Sequence, residues 1–259
     1  MSASPTSMAH HEFAVQLYTL RNEAAQDFPG TLRQVAEAGI SAVEFAGFGS
    51  YTVAEMRKLL DDVGLVAMGA HTRLHLLESD LDKEIEAIQT LGAQYVAIPS
   101  WPANQLTTAD DFRRAGETLA RMGERCKAAG VQFSYHNHAF EFVQFDGTYG
   151  LDLLLEAASP DVLTAQFDLG WIAYAGADPI AFLRKYAGRA PTVHFKDMIT
   201  EPERYDVPSG EGILPLPELI QAGRAGGTKW FIIELDTPRE APIECVRRSA
   251  AYLKLQGLR

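Results

Sequence analysis

The chain has 259 residues, 47% of them hydrophobic, and a formal net charge of −11. That length and apolar content suffice for one large core, and the negative charge argues against a broad nucleic-acid footprint or an anionic membrane surface. A small anionic substrate stays open, because a bound cation can reverse the local field.

The two cysteines, Cys126 and Cys245, lie far apart in helix-like segments, so no disulfide scaffold and a reducing, cytoplasmic setting are expected. No apolar run reaches the roughly 18 residues of a membrane span. Residues 1–11 lack an apolar signal core and read as a flexible leader before a single domain over residues 12–259.

Phe13–Tyr18 reads as a first strand with the polar Gln16 near its end. A helix from about Pro29 carries Leu32, Val35 and Ala36 on one face and stops at Gly39. Ser41–Phe45 is a second strand, apolar except for Glu44. Thr52 caps a helix of Val53, Met56, Leu59, Leu60 and Val63, stopped by Gly64. Leu65–Ala70 forms a third strand and delivers His71.

The unit then recurs. Leu81, Ile85, Ile88 and Leu91 mark a helix before strand four, Tyr95–Ile98, which ends at Pro99-Ser100-Trp101. A longer helix with Phe112, Ala115, Leu119, Met122 and Cys126 on its face precedes strand five at Val131–Ser134, which runs into Tyr135–Phe142. Leu151–Leu155 start helix five, and Leu163–Asp168 is strand six. Ile180, Phe182, Leu183 and Tyr186 belong to helix six, and Pro191–Phe195 is strand seven. Leu216, Leu219 and Ile220 lie on helix seven, Trp230–Glu234 is strand eight, and Ile243, Val246, Tyr252 and Leu253 face inward from a last helix. Eight nearly continuous apolar strands alternating with helices imply a parallel sheet covered by helices, and eight such units close into a (β/α)₈ barrel.

The carboxyl ends of barrel strands converge on one face. Here they carry Gln16, Glu44, His71, the His136–Glu141 group, Asp168, His194, Lys196, Asp197, Glu234 and Asp236. Carboxylates buried there without partners would cost several kcal/mol each. A shared cation removes that cost, and carboxylates with an imidazole suit Mn²⁺, Mg²⁺, Zn²⁺ or Co²⁺ with positions left for substrate oxygens. No thiolate stands at a strand end, which argues against a structural zinc site.

Tyr-His-Asn-His-x-x-Glu-Phe (135–142), Phe-Asp-Leu-Gly-Trp (167–171), Tyr-Ala-Gly-Ala-Asp-Pro (174–179), His-Phe-Lys-Asp-Met (194–198), Gly-Glu-Gly (210–212) and Ile-Glu-Leu-Asp (233–236) occur in that order. Together they resemble the sugar phosphate isomerase/epimerase family of the xylose isomerase-like TIM-barrel superfamily, over nearly the whole chain from Glu12 onward. The resemblance implies one divalent ion held by carboxylate, carboxylate, imidazole and carboxylate. Carried over, Asp168, His194 and Glu234 are ligands. Glu141 is the fourth, with His136 as the runner-up because it lies nearer the strand end.

The resemblance further implies a sugar or keto-sugar substrate and isomerase or epimerase chemistry through an enediolate, with Glu141 and Glu234 as bases. His138 is a separate acid/base candidate or a donor that orients Glu141. Lys196 would neutralise substrate oxygens or pair with Asp197 or Glu211. Gln16, Glu44, His71 and His136 are candidates for binding sugar hydroxyls, Glu44 alternatively being a buried hydrogen-bonded carboxylate. Trp101 and Trp171 would stack on a sugar ring or pack in the core.

The same groups support β-elimination, a lyase or dehydratase acting on 3-keto-glycosides or inosose-like substrates, and the Tyr-His-Asn-His-x-x-Glu-Phe form resembles that branch as well. A DNA-repair nuclease on the same barrel is disfavoured by the −11 charge, and a non-catalytic sugar binder by the converging carboxylates. No glycine-rich phosphate cradle is present. Barrels of this kind often pair, so a homodimer is the assembly to look for.

Overall fold

Eight parallel strands close into a barrel in the order β1-β8-β7-β6-β5-β4-β3-β2. They are β1 (Phe13–Gln16), β2 (Ala42–Phe45), β3 (Val66–His71), β4 (Tyr95–Ile98), β5 (Gln132–His136), β6 (Thr164–Asp168), β7 (Thr192–Phe195) and β8 (Trp230–Ile233). The computed structural model describes residues 12–259, so the expected leader lies outside the described residues. Among the described residues no helix is long and apolar enough to cross a membrane, and both cysteines are free and buried.

The period-two alternation of a strand explains how apolar runs carry a polar site. Outward residues such as Val15, Val43, Phe133, Phe167, Val193 and Phe231 join the large core beneath the helices. Inward residues form layers. Ala14, Ala42, Val66, Met68, Tyr95, Trp230 and Ile232 make an apolar plug. The next inward positions toward the carboxyl ends hold Gln16, Glu44, His136, Gln166, His194 and Glu234, with Asp168 one step beyond Gln166, all buried. The pairing sets their level, with Gln16 opposite Glu44, His136 opposite Gln166 and Asp168 opposite His194.

Four local features differ from the expected elements. β1 ends at Gln16 rather than Tyr18, because the Gln16 side chain accepts from Tyr18 N (3.0 Å) and starts a 3₁₀ turn, Leu17–Leu20. The helix expected from about Pro29 is present as Phe28–Glu37, but an unforeseen short helix, Arg21–Gln26, precedes it, and Asp27 between them caps the longer one through Gly30 N (2.9 Å). An extra short helix, Leu169–Tyr174, starts directly at Asp168. Two small antiparallel hairpins, 144–149 and 198–206, follow β5 and β7 in the chain.

Candidate metal centre and cavity

Four buried side chains at the carboxyl ends of β5 to β8 bring one donor atom each within 4.8 Å of one another: His136, Asp168, His194 and Glu234. Their strands are neighbours in the barrel, so the grouping follows from topology. His194 Nδ1 lies 2.6 Å from Glu234 Oε2, and His136 Nε2 lies 3.9 Å from Asp168 Oδ2. His136 Nδ1, Asp168 Oδ2 and His194 Nε2 have no hydrogen-bond partner although buried. Two imidazoles, two carboxylates and unsatisfied buried donor atoms fit a divalent cation of the borderline or hard class.

Lys196 closes this cluster from the cavity side. It is 1% exposed, and its Nζ stands 2.7 Å from Asp236 Oδ2, 3.1 Å from Glu234 Oε2 and 3.5 Å from Asp168 Oδ2. Asp236 rather than Asp197 or Glu211 is its hydrogen-bond partner. Asp197 is spent on the following loop, accepting from Met198 N, Gly210 N, Gly212 N and Leu214 N at 2.9–3.0 Å, and Glu211 pairs with Arg248 (3.0 Å). A side chain on Gly212 would meet Asp197 Oδ1 at 2.2 Å, so the Gly-Glu-Gly turn wraps a carboxylate and needs a bare backbone.

The titration of the cluster follows its contacts. Burial lifts the Asp168 carboxyl to about 7 against the pull of Lys196. Burial also acts to raise Glu234, but Lys196 and His194 overcome it and hold Glu234 well below the carboxylate range. His194 is lowered by burial and raised more strongly by Glu44 and Glu234, to about 10. Burial lowers Lys196, and Glu234, Asp168 and Asp236 reverse this and keep it charged. His136 and His138 are neutral imidazoles. Burial takes His136 well below the usual range and, with help from Lys196, takes His138 to about 4.

Glu141, expected as the fourth ligand and as a base, is not in the cluster. The chain turns away after His136, and a 3₁₀ turn, Phe140–Phe142, returns Glu141 beneath Tyr135. Its oxygens accept from Tyr135 Oη (2.8 Å) and His138 N (2.9 Å), and burial pushes its carboxyl up to about 7. His136, the runner-up in the sequence, takes the place from β5. Glu141 instead braces the backbone that carries His138. Asn137, which sequence reasoning passed over, clamps Asp168 through its backbone, accepting from Asp168 N (3.2 Å) and donating to Asp168 O (3.4 Å).

The Phe-Asp-Leu-Gly-Trp segment turns sharply because Asp168 Oδ1 caps the next helix by accepting from Trp171 N (2.9 Å). A Cβ on Gly170 would stand 2.0 Å from Lys196 O. Gly170→Ala is therefore expected to cost about 1–3 kcal/mol from overpacking, larger than the roughly 1 kcal/mol that alanine gains in a helix. Urea unfolding checks it; a variant as stable as the parent would show that β7 yields freely.

The cluster opens into a cavity of about 650 Å³. His71, His136, His138, Lys196, Glu234 and Asp236 line its floor, and Tyr18, Arg21, Phe48, Arg73 and Leu76 line its outer part. Of the residues expected to bind sugar hydroxyls, His71 and His136 reach the wall. Gln16 and Glu44 sit behind it, hydrogen-bonded to each other (2.7 Å). Neither Trp101 nor Trp171 lines this cavity. Trp101 packs on the core, and Trp171 lies between the His138 ring (5.7 Å) and the Arg204 guanidinium (4.1 Å). Gln166, also unforeseen, occupies the inward position two residues before Asp168, the same face of β6.

An eight-stranded parallel barrel with a four-donor cluster at the carboxyl ends of β5 to β8 defines the class. The xylose isomerase-like TIM barrel family matches residues 32–256, and the chain belongs to it. The chain is 29% identical over 168 residues to an inosose dehydratase from Lacticaseibacillus casei, covering 56% of this chain and 55% of that one, so it spans about half the length of that relative. It is 24% identical over 242 residues to the rhizopine catabolism protein MocC from Rhizobium meliloti, covering 79% and 73%. A solved sugar phosphate isomerase/epimerase from Parabacteroides distasonis is 25% identical, superposes with a TM-score of 0.78 and is covered over 98% of each chain.

Proposed function

We propose that the chain is a divalent-metal-dependent lyase that removes the proton beside the carbonyl of a polyhydroxylated ketone, a keto-glycoside or an inosose-like ring, and expels the β-oxygen substituent. The observation that carries this reading is the position of Glu141. With it bound to Tyr135 and His138 N, β5 offers an imidazole where a two-base epimerase needs a second carboxylate. The sequence puts epimerisation first; the position of Glu141 supports elimination as our first reading. The inosose dehydratase among the relatives supports the same reading.

His136, Asp168, His194 and Glu234 would hold the ion, which would supply Lewis acidity toward a ketone oxygen. Glu234, kept ionised by Lys196 and His194, takes the proton from the carbon beside the carbonyl. The electron pair left behind forms the C=C bond as the β C–O bond breaks. Lys196, kept as an ammonium 3.1 Å from Glu234, gives a proton to the departing oxygen. His138, neutral and at the cavity wall, orients a substrate hydroxyl. Epimerisation at the same carbon is the second reading, favoured by the likeness to the Parabacteroides distasonis isomerase/epimerase.

Incubation in D₂O with 3-keto-glucosides, inososes and ketoses separates the readings. An unsaturated keto product, lost on chelation, is the expected result. Deuterium wash-in without loss of a group would replace the lyase by the epimerase. Neither outcome across the panel would sink both.

A further inference from the structure

The floor is only part of the cavity of about 650 Å³, and the outer half has a different character. The acids that line the cavity, Glu234 and Asp236, both stand on the floor, 3.1 Å and 2.7 Å from the Lys196 ammonium. The outer half carries no carboxylate, in a chain whose net charge is −11. It carries two guanidinium groups, Arg21 and Arg73, and the imidazole of His75. The side chains of Arg73 and His75 have no hydrogen-bond or ion-pair partner among the described residues.

Arg21 is held in place without being neutralised. Its Nη2 donates to Asp236 O (2.8 Å) and its Nη1 to Tyr18 O (2.9 Å), and its guanidinium lies 4.3 Å from the centre of the Tyr18 ring. Both bonds go to carbonyls, and other N–H donors of the fork remain for an anion. Apolar surface surrounds these cations. Tyr18 and Leu76, 42% and 40% exposed, are two of the six exposed large hydrophobic side chains among the described residues, and half-buried Phe48 lies on the same wall. Exposed apolar surface gathered on a cavity wall marks a place for a ligand.

We propose that this outer half receives the leaving group of the substrate, and that the leaving group is an aromatic ring bearing a carboxylate. The proposal rests on the lyase reading for the sugar end alone. There Lys196 protonates the departing oxygen, Asp236 holds Lys196, and the Asp236 carbonyl holds Arg21. The way out from the reacting bond therefore runs along Asp236 to Arg21 and Tyr18. The ring packs against Tyr18, Phe48 and Leu76. Its carboxylate pairs with Arg73 and Arg21, whose planar forks match two oxygens. A second neutral sugar in that place would meet two cations and offer them no charge.

Binding of a free leaving group tests this without metal or turnover. In chelator, isothermal titration of the full chain with 4-hydroxybenzoate, phenol, cyclohexanecarboxylate and inorganic phosphate separates ring from charge. 4-Hydroxybenzoate should bind at least about tenfold more tightly than phenol, the worth of a hydrogen bond to a charged group, and more tightly than cyclohexanecarboxylate. Added salt should weaken it. Arg73→Gln should remove about the same factor, with the urea midpoint near that of the parent, because the Arg73 side chain is exposed and makes no bond. Phenol or cyclohexanecarboxylate binding as tightly as 4-hydroxybenzoate, or an unchanged Kd in Arg73→Gln, overturns the proposal. Tighter binding of phosphate overturns it in favour of a phosphorylated sugar. If 4-hydroxybenzoate binds as expected while no keto-glycoside is cleaved, the lyase reading fails and the aromatic-acid site remains.

Discussion

Lys196→Met is expected to lower the stability of the metal-free protein by about 3–5 kcal/mol, the cost of leaving a buried charge cluster without its partner. Methionine keeps most of the stem volume, so lost packing is the smaller effect. The larger one is that Asp168, Glu234 and Asp236 would face one another with no ammonium within the 2.7–3.5 Å that Lys196 now occupies. Urea unfolding in chelator measures the loss. With saturating divalent ion part of it should return, because an ion bound only to the native state stabilises by mass action and supplies the missing positive charge. A loss under about 1 kcal/mol in chelator, the range of exposed ion pairs, would show that the carboxylates relax into solvent instead.

Glu234→Gln is expected to lower kcat by about 10²–10⁴-fold, the usual worth of a positioned acid/base group. Glu141→Gln should stay within about tenfold of the parent, a smaller loss than that of an acid/base group, since its carboxyl braces Tyr135 and the His138 backbone instead of facing the substrate. Steady-state rates on whichever substrate the keto-sugar panel reveals give the comparison. Equal losses in the two variants would restore Glu141 as a base.

Asp168, His194 and Glu234 were legible because each ends an apolar run, and a barrel sends such ends to one face. The glycine stops at Gly39, Gly64 and Gly130 marked the helix ends, and each takes a positive φ, from 72° to 79°. What stayed hidden depends on turns and on strand neighbours. Three ionisable residues lie within 136–141; β5 turns His136 inward, and the 3₁₀ turn at Phe140–Phe142 takes Glu141 back to Tyr135. The Lys196–Asp236 pair needs β7 and β8 side by side, each continued two residues past an inward ligand. Gln166 and Asn137 carry no charge to attract notice. Both show their roles only once the partners Glu44, His71 and Asp168 have been brought to them.

Metal content of the protein purified without chelator is the most direct test of the donor cluster. The parent should carry about one divalent ion per chain, proportional to protein across preparations. Asp168→Ala combined with His194→Ala should carry none, His136→Ala should lose it, and Glu141→Gln should keep it. Stoichiometric metal retained in the double variant would contradict the site, and loss in Glu141→Gln with retention in His136→Ala would return the fourth position to Glu141.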